Sequence, residues 1–331
     1  MQGPFMLDAP LQFEPILVPK VWGGRRLQTL GKLIPPDTAI GESWEIADMP
    51  GDGPCSIVAD GAFAGQSLRS LVEAHERELM GDVPLNAEGR FPLLIKFLDA
   101  CDNLSVQVHP DEAWAATHAD AYLKSEAWVV MDTELNSRIW SGVKPGTSAK
   151  TLRAALKAGT LTESLLWREA RVGSCHTLPS GTCHALGTGV LVAEVQTTSD
   201  TTFRLWDWGR EGRQMHIEES LACIDYSTPP PDEVAVPTAA SGLAETVLAD
   251  TPWFTMRRID TSEATTWRSD LSGAPMVLMI LRGTAHATCN GGGARLQIGS
   301  TALLPAATKQ ATVELGEHTS LLIAQPNRSD G

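Results

Sequence analysis

Apolar and polar positions along the chain alternate in short runs, and most of these runs have the two-residue period of a β-strand. The clearest are PLLIKFLDA (92–100), LSVQVH (104–109), EAWVVM (126–131), GVLVAEVQ (189–196), PMVLMIL (275–281) and SLLIA (320–324). Gly, Pro, Asn and Asp punctuate them, which predicts a mainly β fold built as sandwiches or barrels. Helical spacing is rarer. In SLRSLVEAHERELM (67–80) the residues Leu68, Leu71, Val72 and Leu79 fall on one helical face, with Ser67 placed to cap the start and Gly81 just past the end. A second helical patch, from about 148 to 170 and broken near Gly159, reads as an insertion between strands. The stretch STPPPDEVAVPTAASG (227–242) has the composition of a linker. It predicts a first domain over 1–236, with a helical insertion at about 148–172, and a smaller β domain over 237–331. In the second domain Asn290-Gly291-Gly292-Gly293 is the expected hairpin turn. No internal repeat is visible.

Composition narrows the class. At 331 residues and 43% hydrophobic the chain can bury a large core. It carries 26 basic against 40 acidic residues, a formal charge of −14, with no basic run. Nucleic acid and anionic membrane are therefore poor partners, and an anionic ligand would need a local basic pocket. The six cysteines (55, 101, 175, 183, 223 and 289) form no CxxC pair, which fits free thiols in a reducing compartment. The first residues lack the pattern of a signal peptide, and no stretch of ~18 apolar residues could cross a membrane as a helix. A cytoplasmic location is the expectation.

Candidate chemistry clusters in the first domain. In LSVQVHPDE (104–112) strand alternation puts Leu104, Val106 and Val108 on one face and Ser105, Gln107 and His109 on the other. An ordinary half-exposed strand gives the same alternation, but a hydroxyl, an amide and an imidazole make a ligand-binding set. Lys96 interrupts an apolar strand, so its ammonium needs water, a partner or a bound anion. Glu126 opens a strand, two residues after Lys124, and shares a face with Trp128 and Val130. His184 sits between glycine-punctuated turns. In EVQTTSDTTFRLWDWGR (194–210), Thr202, Arg204, Trp206 and Trp208 are expected on one face, where an arginine beside aromatic rings suits a grip on phosphate or a cation–π stack. Each residue alone has a bland structural explanation. Together, two His, one Glu and a Gln beside several cations suit a metal-assisted proton transfer next to a carbonyl.

The motifs PKVWGG (19–24), GESWEIAD (41–48), KFLDACDNLSVQVHPDE (96–112), KSEAW (124–128), SGTCHALGTG (180–189) and EVQTTSDTTFRLWDWGR (194–210) resemble, in this order, those of the short, bacterial-style type I mannose-6-phosphate isomerases of the cupin superfamily. The resemblance covers nearly the whole first domain; beyond it only a general cupin rhythm persists. It implies two cupin-like (jelly-roll) β-barrels with a small helical insertion. It also implies one divalent metal, zinc in most of the family, held by His109, Glu126 and His184, with Gln107 as a fourth ligand in part of the family. The family's active-site arginine falls on Arg204, and Lys96, Ser105, Lys124 and Glu194 match positions lining the substrate pocket. Glu194 is the candidate base. The implied reaction interconverts mannose 6-phosphate and fructose 6-phosphate through an enediol. The expected partner is a small phosphorylated sugar, with the chain a monomer or homodimer. Cys183 stands where the family has an apolar residue, and it is expected to behave as a small hydrophobe. His286 and His318 receive no role. Two rival functions share parts of this pattern: a cupin Fe(II) oxygenase, which has no need of the cations, and a non-catalytic sugar-phosphate-binding cupin, which has no need of the metal set.

Overall fold

The computed structural model describes residues 6–118, 121–235, 242–271 and 273–328. Eleven strands make the first half: β1 (Ile16–Gly24), β2 (Ile40–Ile46), β3 (Leu93–Ala100), β4 (Val106–Val108), β5 (Glu126–Thr133), β6 (Arg138–Val143), β7 (Leu165–Glu169), β8 (Cys175–Leu178), β9 (His184–Leu186), β10 (Val190–Thr197) and β11 (Phe203–Trp206). They form a six-stranded sheet, β1-β2-β3-β10-β5-β8, facing a five-stranded sheet, β11-β4-β9-β6-β7. The second half contains β12 (Leu243–Asp250), β13 (Phe254–Thr261), β14 (Thr265–Asp270), β15 (Met276–Arg282), β16 (Thr284–Cys289), β17 (Gly292–Gln297), β18 (Thr301–Leu304), β19 (Gln310–Leu315) and β20 (Ser320–Pro326). These pair as β12-β13-β20-β15-β18 and β14-β19-β16-β17. The protein is mainly β, as the alternation predicts, but the sheets stay open and stack as sandwiches instead of closing into barrels.

The boundary expected at 236/237 falls in 236–241, outside the described residues. We propose it nonetheless, because among the described residues no sheet mixes strands from before and after it, and a single bridge, Leu11↔Leu303, crosses between them. The predicted hairpin lies where expected but is tighter: Asn290-Gly291 alone turn, and Gly292 and Gly293 already pair with Cys289 and Thr288 as the start of β17.

Among the described residues four α-helices accompany the sheets: α1 (Leu68–Met80), α2 (Glu112–Ala115), α3 (Ala149–Ala158) and α4 (Ile217–Cys223). Ser67 caps α1 by accepting from the Ser70 N–H at 3.1 Å. Gly81 ends it at φ +60°, where a Cβ would lie 2.1 Å from the Gly273 carbonyl oxygen. The helical reading of 148–170 holds only in part. Ser148 caps α3 and Gly159 (φ +73°) ends it, but Leu165–Glu169 is the strand β7, paired to β6 through Trp140↔Trp167. Cross-strand pairing overrides the helical spacing of that segment. No helix among the described residues is long and apolar enough to cross a membrane.

The largest core joins the two sandwiches. Ile95, Phe97, Val129 and Val195 on the outer face of the six-stranded sheet share it with Leu71 of α1 and with Phe254, Met256 and Met279 of the second half. Strands buried on both faces read as almost unbroken apolar runs, which is why Lys96 stands out. Phe254 is fully buried. Phe254→Ala should lower unfolding stability by about 3–5 kcal/mol in urea titration, and a loss below about 1 kcal/mol would mean that this layer is loosely packed.

Candidate metal centre and active site

Backbone pairing brings the ligand candidates together. In β4 the residues Val106 and Val108 pack on the outer core with α3 and α4, so Gln107 and His109 point into the sandwich. Leu104, which precedes the strand, departs from the expected alternation and joins the inner core with Trp128. Gln107 lies directly across the ladder from His184 of β9. The chain leaves β4 through Pro110 and turns at Asp111, whose carboxylate caps α2 by accepting from the Trp114 N–H at 2.8 Å. It returns as β5, which starts at Glu126.

His109, Glu126 and His184 are buried, and their ligand atoms all lie within 4.8 Å of one another. Each imidazole is oriented by its far nitrogen. His109 Nδ1 is 2.9 Å from the Thr201 carbonyl oxygen and His184 Nδ1 is 2.8 Å from that of Thr182. A carbonyl only accepts, so both Nδ1 atoms carry the proton and both Nε2 atoms present lone pairs. These face Glu126: His184 Nε2 is 3.1 Å from Oε1 and His109 Nε2 is 3.6 Å from Oε2. Oε1 is buried without a hydrogen-bond donor. Lone pairs turned toward one another in a buried site call for a shared cation, and this donor set fits a divalent ion of borderline softness. Burial, reinforced by Lys124, pushes the His109 pKa down to about 3. Burial alone would raise Glu126, but Lys124 and His109 hold it well below the usual carboxylate range. Both therefore hold the unprotonated form that binds metal at neutral pH.

The adjoining wall is a row of alternating charges across the six-stranded sheet. Lys20 lies 2.9 Å from Glu42, Lys96 lies 3.5 Å from Glu42 and 3.6 Å from Glu194, and Lys96 donates to Gln196 Oε1 at 2.7 Å. β3 is an interior strand, so Lys96 is no snorkelling edge residue. Burial would raise Glu42, yet Lys96 and Lys20 draw it down to about 2. Glu194 goes the other way. Burial lifts it to about 7 against the pull of Lys96, with Glu126 adding to the rise. Glu194 Oε1 is buried with no hydrogen-bond partner. Across the cavity, Arg204 donates to the Gln214 carbonyl at 2.6 Å, its Nε is buried and unpartnered, and among the described residues no carboxylate pairs with it.

Gln107, Lys96, Ser105, Lys124, Glu126, Glu194 and Arg204 line one cavity, and His109 and His184 lie behind its wall. Lys20, Trp22, Glu42, Trp44, Asp200, Thr202 and Arg213 also line it, and nothing in their local sequence marks them as chemical groups of a site. Four of these stand in PKVWGG and GESWEIAD, the motifs that carry part of the resemblance. Two expectations differ from the structure or are refined by it. Trp206 and Trp208 do not share the face of Arg204: a bulge between Arg204 and Trp206 breaks the alternation, and both indoles pack on the outer core, with Trp208 against Trp140. Cys183 points to that same outer core, and burial pushes its thiol up to about 12, consistent with an inert small side chain. Among the described residues no second metal-type cluster exists.

A model of the phosphomannose isomerase type I catalytic domain matches residues 11–127. A mannose-6-phosphate isomerase of Streptococcus mutans is 37% identical over 255 residues, covering 75% of this chain and 77% of the relative. One from Bacillus subtilis is 35% identical over 258 residues, covering 76% and 79%. Among solved structures, the mannose 6-phosphate isomerase of Bacillus subtilis superposes with a TM-score of 0.83 at 27% identity, over 95% of this chain and 99% of that one. With identity at this level spread over most of both partners, and a shared fold spanning both sandwiches, this chain belongs to the type I phosphomannose isomerase family.

Proposed function

We propose that the protein is a metal-dependent aldose–ketose isomerase that interconverts mannose 6-phosphate and fructose 6-phosphate. The observation that carries this reading is the convergence of His109, Glu126 and His184 beside a buried carboxyl, Glu194, whose Oε1 accepts no hydrogen bond and lies 3.6 Å from the Lys96 ammonium. His109, Glu126 and His184 would hold the ion, which we take to be zinc. Gln107, 3.2 Å from His184 Nε2, would join them by turning its amide oxygen inward. When bound, the ion supplies Lewis-acid stabilisation to the oxygens beside the moving proton.

Glu194 acts as the base. Its carboxylate takes the proton from C2 of the open-chain aldose while O1 gains one, giving the enediol. The same carboxyl then delivers its proton to C1 as O2 loses one, giving the ketose. Lys96, 3.6 Å from Glu194, stabilises the charge on the oxygens and is placed to exchange protons with them. Arg204, with no carboxylate partner among the described residues, holds the anionic substrate, and Ser105 and Lys124 supply further contacts to its hydroxyl or phosphate oxygens. A cytoplasmic setting belongs to the proposal, since all six cysteines are free thiols.

A coupled assay on mannose 6-phosphate, with and without chelator, tests the reading. Chelator-sensitive isomerisation is expected. Absence of isomerisation by the metal-loaded protein, or oxygen uptake with Fe(II), would sink it. Arg204→Ala should retain the metal and lose kcat/KM by roughly 10²-fold or more. Near-normal kcat/KM in that variant would remove Arg204 from the site.

A further inference from the structure

Lys124 is buried two residues before Glu126, and its ammonium is inside the ligand cluster. Nζ lies 2.8 Å from Glu126 Oε2 and 3.1 Å from His109 Nε2. His109 has committed Nδ1 to the Thr201 carbonyl, so Nε2 holds its single lone pair, and the Lys124 ammonium donates to it. That lone pair cannot serve an ammonium and a metal ion together. Two of the three ligand side chains are thus engaged by a cation the chain itself provides. Lys96 offers the contrast: it is equally buried in the same cavity, but its contacts go to Gln196, Glu42 and Glu194, none of them among the three ligands.

We propose that Lys124 is an internal cation that competes with the divalent metal for His109 and Glu126, so that it sets the metal affinity and is released toward the substrate cavity when a metal binds. This rests on the metal-centre reading given above. Competition from an ammonium raises the threshold a metal must exceed, which favours zinc over weaker binders of imidazole such as magnesium. Release also couples the two sites. Lys124 lines the same cavity as Arg204, so metal loading hands that cavity a further free cation. Metal should therefore strengthen binding of inorganic phosphate, and phosphate should strengthen binding of metal by the same factor.

The test is the zinc dissociation constant of the full-length protein, measured by competition with a chromophoric chelator, for wild type, Lys124→Met and Lys96→Met. Lys124→Met should bind zinc at least about tenfold more tightly, equivalent to about 1.4 kcal/mol. Lys96→Met removes a cation at greater range and should change affinity less. Metal-free Lys124→Met should melt below wild type, because Glu126 loses its nearest cation, and zinc should reverse that loss. Lys124→Gln provides a second variant if the methionine form fails to fold. Zinc affinity unchanged or weakened in the Lys124 variants, or matched by Lys96→Met, would overturn the proposal. Failure of wild type itself to bind zinc would overturn the metal centre and this inference with it, and that result is visible before any variant is compared.

Discussion

Replacing His109 by alanine is expected to abolish stoichiometric metal binding and isomerase activity together. His109 brings one of the two imidazole lone pairs, and its Nδ1 anchor on Thr201 fixes where that lone pair points. Without it, only Glu126, His184 and the neutral, weakly binding amide of Gln107 remain, too weak a set to hold an ion stoichiometrically. The ion's stabilisation of the enediolate is worth several kcal/mol. Its loss should lower kcat/KM by roughly 10³-fold. Elemental analysis and the coupled assay on the same preparation check this, with circular dichroism to confirm that the sandwich still folds. A variant that keeps one bound metal and activity within tenfold of wild type would show that His109 is not a ligand.

Glu194→Gln is the second large effect. The amide keeps the shape of the side chain and cannot accept the proton, so kcat should fall by about 10²–10⁴-fold with little change in KM. Bound metal should be unaffected, since Glu194 lies outside the three-residue cluster. The pH dependence gives a separate readout. A base works only when deprotonated, and burial lifts this carboxyl to about 7, so kcat/KM should rise with pH up to that region. A bound dication favours the carboxylate and shifts the rising limb to lower pH, in the direction opposite to burial. In Glu194→Gln the residual activity should lose this limb. A variant with kcat within a few-fold of wild type and an unchanged profile would transfer the base to another residue.

Much of this was legible in the letters because two-residue alternation survives in β4 and β5. Once Val106 and Val108 are assigned to a core, Gln107 and His109 must face the other way, and the same reasoning places Glu126 with Trp128. Lys96 was conspicuous because an interior strand tolerates no unpaired ammonium. Other features depend on contacts that no local pattern encodes. The bulge after Arg204 turns Trp206 to the outer face, and the pairing of Trp140 with Trp167 makes a strand where the spacing suggested helix. Glu42 was invisible as chemistry since its partners, Lys20 and Lys96, come from two neighbouring strands distant in the chain. The engagement of Lys124 with two ligands is likewise a fact of three dimensions, since Lys124 precedes β5, where strand alternation says nothing of its direction.

The most direct test is an anomalous difference map from crystals grown with zinc, recorded on both sides of the zinc absorption edge. One peak is expected, about 2.0–2.2 Å from His109 Nε2, His184 Nε2 and a carboxylate oxygen of Glu126. A map with no peak there, or with zinc held by other side chains while these three groups point apart, would contradict the metal centre.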